Sequence, residues 1–269
     1  DWDGWHDYVG EGTDAAGWAT PPRERVLAEI LSTPLVREPE SGFEYSCLGY
    51  ITAMAYAEMI TGRPWEAILS ETVLAPRELT AITFGAPPEQ SAPTEWQPEL
   101  GRGLVRGVVH DEKAFALGGV SGNAGLFATA DDLLQFGLAI APAEPGASES
   151  RILGGSVFAA FWEDALPELT AAAGWDASTT PDFGQGAGPR IGQAAWMTDA
   201  CLAARGHPGF TGTSLMIDPD RSLVIALLTN RVHPSRLGAD GNAIRSQLTA
   251  AVCAVLDDNP AQLPGMADG

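Results

Sequence analysis

The chain has 269 residues, 45% of them apolar, in short punctuated runs, so a soluble globular fold of one large or two small domains is expected. No apolar stretch approaches the roughly 18 residues of a membrane span. With 15 basic against 35 acidic side chains, a net charge of −20 and Lys113 as the only lysine, the chain offers no basic face for nucleic acid.

Cys47, Cys201 and Cys253 are odd in number and widely spaced, so no disulfide framework is expected. His6, His110, His207 and His233 are scattered, with no His-Glu-x-x-His and no Cys/His cluster, so neither a metal site nor a bound metal is expected.

Residues 1–20 are rich in Gly and Trp without periodicity and read as a loop. The chain opens at Asp1, in the middle of that stretch, and an N-terminal portion is expected to precede it. Pro21-Pro22 start a helix over residues 23–32, with Val26, Leu27, Ile30 and Leu31 on one face. After a linker comes Phe43-Glu-Tyr-Ser-Cys-Leu-Gly-Tyr50, then a strongly apolar helix through Ile60 that Gly62 caps. A further amphipathic helix covers residues 65–74. Residues 75–107 are rich in Pro and lack periodicity, which predicts an irregular excursion.

Val108-Val-His-Asp then leads into the glycine-dense loop 118–125. A helix over residues 130–141 follows, with Thr129 as N-cap and Asp131 and Asp132 at its positive end. A helix is expected within residues 151–172, a Gly/Pro-rich loop over 173–190, and one or two strands over 191–204. Residues 242–256 close the chain as a helix with Ile244, Leu248, Val252, Val255 and Leu256 as apolar positions.

Residues 206–230 organise the rest. Two strand-like runs, residues 210–217 and 222–229, are joined by Asp218-Pro-Asp-Arg221, whose turn chemistry predicts an antiparallel hairpin. The continuously apolar Leu223-Val-Ile-Ala-Leu-Leu228 is expected at the centre of a sheet covered on both faces. The first run opens with His207-Pro-Gly-Phe-Thr-Gly212, where glycines that permit close backbone approach flank an imidazole and a hydroxyl. This is a candidate active-site wall.

There is no Gly-x-Ser-x-Gly elbow, no Walker A motif and no Gly-x-Gly-x-x-Gly. Three clusters remain. Tyr45-Ser46-Cys47 precedes the apolar helix; its tyrosine could accept a proton if cationic neighbours or hydrogen bonds lowered a pKa of about 10, and otherwise reads as a packing aromatic. His110-Asp111 is weak as a catalytic pair, because neighbouring strand residues face opposite ways. His207-Pro208-Gly209 is followed by the backbone N–H of Phe210, a possible oxyanion donor.

Taken in order, Tyr-Ser-x before a buried helix, Val-His-Asp-x-x-Ala with Gly-Gly-Val-x-Gly-x-Ala-Gly-Leu-Phe-x-Thr-Ala-x-Asp-Leu, and His-x-Gly-Phe-Thr-Gly-Thr-Ser with Leu-Leu-Thr-Asn-Arg-Val-His-Pro resemble one family. They are similar to the serine β-lactamase-related hydrolases: class C β-lactamase-like esterases and penicillin-binding-protein-like enzymes. The match lies in residues 43–62, 108–133 and 206–236. The resemblance implies an α+β fold, an antiparallel sheet flanked by helices beside a mostly helical subdomain. The chain would be a single N-terminally incomplete domain over 1–269, with residues 43–130 in the helical part and 150–256 supplying sheet and C-terminal helix.

It also implies a serine acyl-enzyme mechanism on a small-molecule ester, amide or lactam, without a cofactor. Tyr45 would be the proton-transfer tyrosine and His207 the head of the third motif. Gly209 and Phe210 would line the substrate and offer an oxyanion donor, with Cys47 and Asn123 as further substrate-binding candidates. Three departures follow. No Ser-x-x-Lys exists, since position 110, three before Lys113, is His. Position 47 is Cys where the family has Asn or Asp, and Pro208 replaces the Thr of the third motif. The nucleophile segment is therefore expected to be absent from this chain. A non-catalytic binding or regulatory homologue is the alternative reading.

Overall fold

The computed structural model describes Gly4 and residues 22–144, 146–173, 181–238 and 240–258. Apart from Gly4, the loop expected over residues 1–20 lies outside them. The architecture is α+β, with antiparallel strand pairing throughout. Two compact units share the chain: Asp1–Val36, Glu44–Thr129 and Asn230–Gly238 form one, and Arg37–Phe43, Ala130–Thr229 and Ala239–Gly269 the other. No helix among the described residues is long and apolar enough to cross a membrane.

The first unit is built on α1 (Arg23–Leu31), α2 (Cys47–Thr61) and α3 (Trp65–Leu69), the last continuing as a π-turn over Ser70–Leu74. Ser46 starts α2: its backbone is extended and its side chain accepts a hydrogen bond from Leu48 N at 3.1 Å. Gly62 ends the helix in the left-handed region, φ 65°, as its capping role requires. Val26 and Ile30 of α1 pack with Ile51 and Met54 of α2 and with Ala116 and Leu117. Full burial of each larger aliphatic side chain contributes about 1.5–3 kcal/mol. The excursion over 75–107 is irregular as expected, interrupted by β1 (Thr83–Phe84), β2 (Trp96–Gln97) and β3 (Gly103–Leu104). Then come α4 (Glu112–Ala116) and β4 (Leu126–Phe127); β1 pairs with β4 and β2 with β3. The segment Asn230–Gly238 is stitched onto the excursion: Trp96 N donates to Pro234 O at 2.8 Å and His233 Nδ1 to Thr94 O at 3.0 Å.

The second unit contains α5 (Ala130–Ile140), α6 (Gly155–Trp162), α7 (Leu166–Ala173), β5 (Gly184–Gln185), β6 (Arg190–Ile191), α8 (Ala194–Met197), β7 (Arg205–Pro208), β8 (Ser214–Asp218), β9 (Leu223–Leu227) and α9 (Asn242–Asp258). Its five strands run in the order β5-β6-β7-β8-β9. Alternation along β8 sends neighbouring side chains to opposite faces. Met216 joins Trp196, Met197, Cys201, Ala204 and Cys253, beneath α8 and α9, whereas Ile217 joins Ile140, Phe158 and Trp162, beneath α5 and α6. Helices thus cover both faces of the sheet. Gly137 lets α5 sit close on β9, where a Cβ would come within 2.5 Å of Val224 Cγ1.

Several expectations need correction here. The hairpin exists, but its first strand begins at Ser214; residues 209–212 form a turn, and His207 sits on a separate strand, β7. Strand β9 is half-buried and ends the sheet among the described residues, so its apolar run does not mark a central strand. Residues 191–204 hold the end of β6, then α8 and a 3₁₀ turn over Asp199–Cys201 in place of further strand, and the expected loop 173–190 carries β5 and the start of β6 (residues 174–180 lie outside the description). Cys201 and Cys253, 52 residues apart in the sequence, come together in the buried cluster beneath α8 and α9.

Candidate active site

In the second unit, β7 presents His207 opposite Leu215 and Pro208 opposite Ser214 on β8. The His207 Nδ1–H donates to Pro208 O at 2.9 Å, which leaves Nε2 as the lone-pair nitrogen. Burial holds the imidazole below its usual pKa of 6.5; the positive charges of Arg190 and Arg245 add to the lowering, against the opposing bond to Pro208. The ring is neutral at pH 7.

The turn after His207 is held by its own backbone and by α9. Gly209 N donates to Thr213 O at 2.7 Å and Gly212 N to Gly209 O at 3.1 Å. Arg245, only 5% exposed, donates to Gly209 O at 2.7 Å and to Thr213 O at 3.0 Å. Phe210 lies on this turn with more than half its surface in solvent. A Cβ at position 209 would collide with Thr213 Oγ1, its one close neighbour. Gly209→Ala is therefore expected to cost about 1–2 kcal/mol by overpacking. Adding Thr213→Ala should recover most of that loss in a denaturant titration, because it removes the colliding hydroxyl.

In the first unit, Tyr45 is exposed and precedes the cap Ser46, while Cys47 is half-buried at the first position of α2. The glycine loop packs on the same helix: Gly122 sits so close that a Cβ there would meet Tyr50 O and, at 2.9 Å, Met54 Cβ. Asn123 follows immediately. Its Oδ1 accepts from Ser121 Oγ at 2.7 Å and its Nδ2 donates to Asp111 Oδ1 at 3.3 Å. The loop that carries Asn123 thus rests on α2 through Gly122, with the Asn123 amide engaged by Ser121 and Asp111.

His110-Asp111 has a different character from a catalytic pair. Asp111 is the N-cap of α4, accepting from Ala114 N at 2.8 Å, so the two residues are not on a strand. His110 is buried and donates from Nε2 to Glu95 Oε2 at 2.9 Å. Glu95 also accepts from Gln97 Nε2 at 2.8 Å and from Arg236 N and Nε, each at 2.7 Å. Burial pushes its carboxyl up, but these donors outweigh that and hold it at about 2. Burial holds His110 below its usual pKa, against the raising effect of its bond to Glu95. Arg236 reaches a second carboxylate, Glu112, at 2.5 Å. Sequence reasoning missed Glu95, Gln97 and Arg236, since Glu95 lies 141 residues before Arg236 in a stretch without periodicity.

An open cleft of about 650 Å³ in the second unit is lined by Asp164, Thr170, Phe183, Ile191 and Leu202, and none of the expected site residues borders it. Another, of about 460 Å³ in the first unit, borders Glu95, Glu112 and Arg236.

The fold and the motif-bearing segments are those of a β-lactamase-type domain. The family described as Beta-lactamase matches residues 4–249, and the chain belongs to it. Among curated relatives, a putative D-alanyl-D-alanine carboxypeptidase of Escherichia coli K12 is 30% identical over 229 residues, covering 78% of this chain and 50% of the relative. An N-acetylmuramyl-L-alanine amidase of Bacillus subtilis is 28% identical over 244 residues, covering 85% and 53%. The chain thus spans about half the length of these relatives. A β-lactamase/D-alanine carboxypeptidase from Yersinia pestis, solved with citrate, shares the fold with a TM-score of 0.57 at 14% identity, over 88% of this chain and 62% of that one.

Proposed function

We propose that this chain is part of a serine hydrolase that cleaves an amide or ester through an acyl-enzyme, with the nucleophilic Ser and its Lys outside residues 1–269. One observation carries the reading: His207, its Nδ1–H on the Pro208 carbonyl, leads into a hydrogen-bonded glycine turn in a chain of this family. Tyr45 is the proton-transfer group. Gly209 and the Phe210 N–H line the carbonyl and its developing negative charge, and Cys47 and Asn123 contact the substrate. The names of the two curated relatives, a carboxypeptidase and an amidase, both denote amide cleavage and favour an amide.

A non-catalytic binding homologue is the second reading. It is favoured by Cys47, which offers no amide or carboxylate, and by Pro208, which offers neither hydroxyl nor N–H. Fluorophosphonate and penicillin probes separate the two. Residues 1–269 alone are expected to take no label, and the product of the complete reading frame one label per chain. Stoichiometric label on residues 1–269 overturns the placement of the nucleophile. No label on either protein overturns the hydrolase reading in favour of the binding homologue.

A further inference from the structure

The turn after His207 is tied to the body of its unit by its carbonyl oxygens. Arg245 of α9 donates from a single guanidinium nitrogen, Nη2, to Gly209 O at 2.7 Å and to Thr213 O at 3.0 Å. Its Nη1 donates to Asn242 Oδ1 at 2.9 Å, and Gly241 leaves the guanidinium its room, since a Cβ there would stand 3.2 Å from Cζ. Thr229 Oγ1 donates to Gly212 O. Three of the turn's carbonyls, at 209, 212 and 213, are thus held by side chains from elsewhere in the unit. Burying a guanidinium is costly unless its N–H groups find acceptors. Here the backbone of the turn supplies them, in bonds that the cation strengthens.

A trans peptide is planar, so its C=O and its N–H point in opposite directions. With Gly209 O drawn to Arg245, the N–H of Phe210, in the same peptide unit, faces away from α9. Gly209 has no Cβ to resist rotation of that peptide, and the reversed orientation would turn the N–H inward. We infer that Arg245 is a positioning residue: it locks the 209–210 peptide so that the Phe210 N–H is aimed at the carbonyl oxygen of the substrate. That use of the N–H rests on the hydrolase reading; the lock itself does not.

The test compares wild type with Arg245→Met, which keeps the length of the side chain and removes its donors, in the product of the complete reading frame. The substrates are an aryl ester and its thionoester, identical except that sulfur, a weaker acceptor, replaces the scissile carbonyl oxygen. On the ester, the limiting acylation rate is expected to fall about 10- to 100-fold, with the half-saturating concentration held within about twofold. The ester-to-thionoester rate ratio should fall at least about threefold, because a donor no longer aimed at the oxygen stops favouring it over sulfur. Arg245→Lys keeps a cation and a donor for one carbonyl; it should lose about 3- to 10-fold, and carries the test if the Met variant does not fold. Amide exchange at Gly209 and Gly212, which donate within the turn, should accelerate at least about threefold in either variant while β8 is unchanged. A folded variant that acylates at the wild-type rate overturns the inference. So does a loss of rate with an unaltered ratio, the mark of a merely structural role. If wild type is not acylated at all, the hydrolase reading falls and exchange alone decides: acceleration confined to the turn upholds the lock, and unchanged exchange overturns it.

Discussion

Glu95→Gln is expected to remove about 3 kcal/mol of stability at pH 7, read as a fall in the urea midpoint. Glu95 is 5% exposed and accepts hydrogen bonds from His110, Gln97 and Arg236. An amide at this position cannot accept from all these donors, and it leaves Arg236 with one carboxylate partner in place of two. The size follows from linkage: the carboxyl sits at about 2 in the folded chain against its ordinary value of 4.5, and each unit is worth about 1.4 kcal/mol. The folded value is the lower of the two. The contribution is therefore complete above pH 4.5 and disappears as pH falls through about 2. The gap between wild type and variant should shrink to about 1 kcal/mol at pH 3. A gap that is constant between pH 7 and pH 3 would refute the assignment of Glu95 as the charged hub.

Gly122→Ala is the second large effect, expected at about 3 kcal/mol. The added methyl would run into Tyr50 O and Met54 Cβ, neither the end of a flexible side chain. Relief requires the loop 118–125 to lift from α2, at a cost toward the upper end of overpacking penalties. Because Asn123 is the next residue, the lift also breaks the Ser121–Asn123–Asp111 bonds. The check is a midpoint shift accompanied by faster amide exchange in residues 118–125. A variant as stable as wild type would mean that the loop does not rest on the helix.

The helices were legible where amphipathic or capped: α1 from Val26 and Ile30, and α2 from its apolar run and Gly62; α9 was legible as a helix, but it buries Arg245, Thr249 and Cys253, and the apolar Ile244 and Val255 are exposed. Strand β7 was not, since Arg205-Gly-His-Pro has only four residues, two of them types that weaken strands, and owes its place to pairing with β8. The apolar run of β9 misled because half-burial beneath α5 draws the same residues as burial on both faces. In the candidate site, His207, Gly209 and Asn123 were singled out from motif chemistry. Arg245 was not: it lies on a helix 36 residues beyond the carbonyl it holds, and nothing local to Asn242-Ala-Ile-Arg distinguishes it from a solvated arginine. The Glu95–Arg236 pair escaped for the same reason, being made by tertiary folding between two segments without periodicity.

Strand β9 ends its sheet among the described residues, and its outward backbone groups form a row that another extended segment could match rung by rung. Its sequence, Leu-Val-Ile-Ala-Leu, contains no charge and no proline to discourage such a match. Handling of the purified chain should therefore be governed by this rim: crowding and warming promote self-adhesion, and a lysine placed on its solvent side is the simplest gatekeeper.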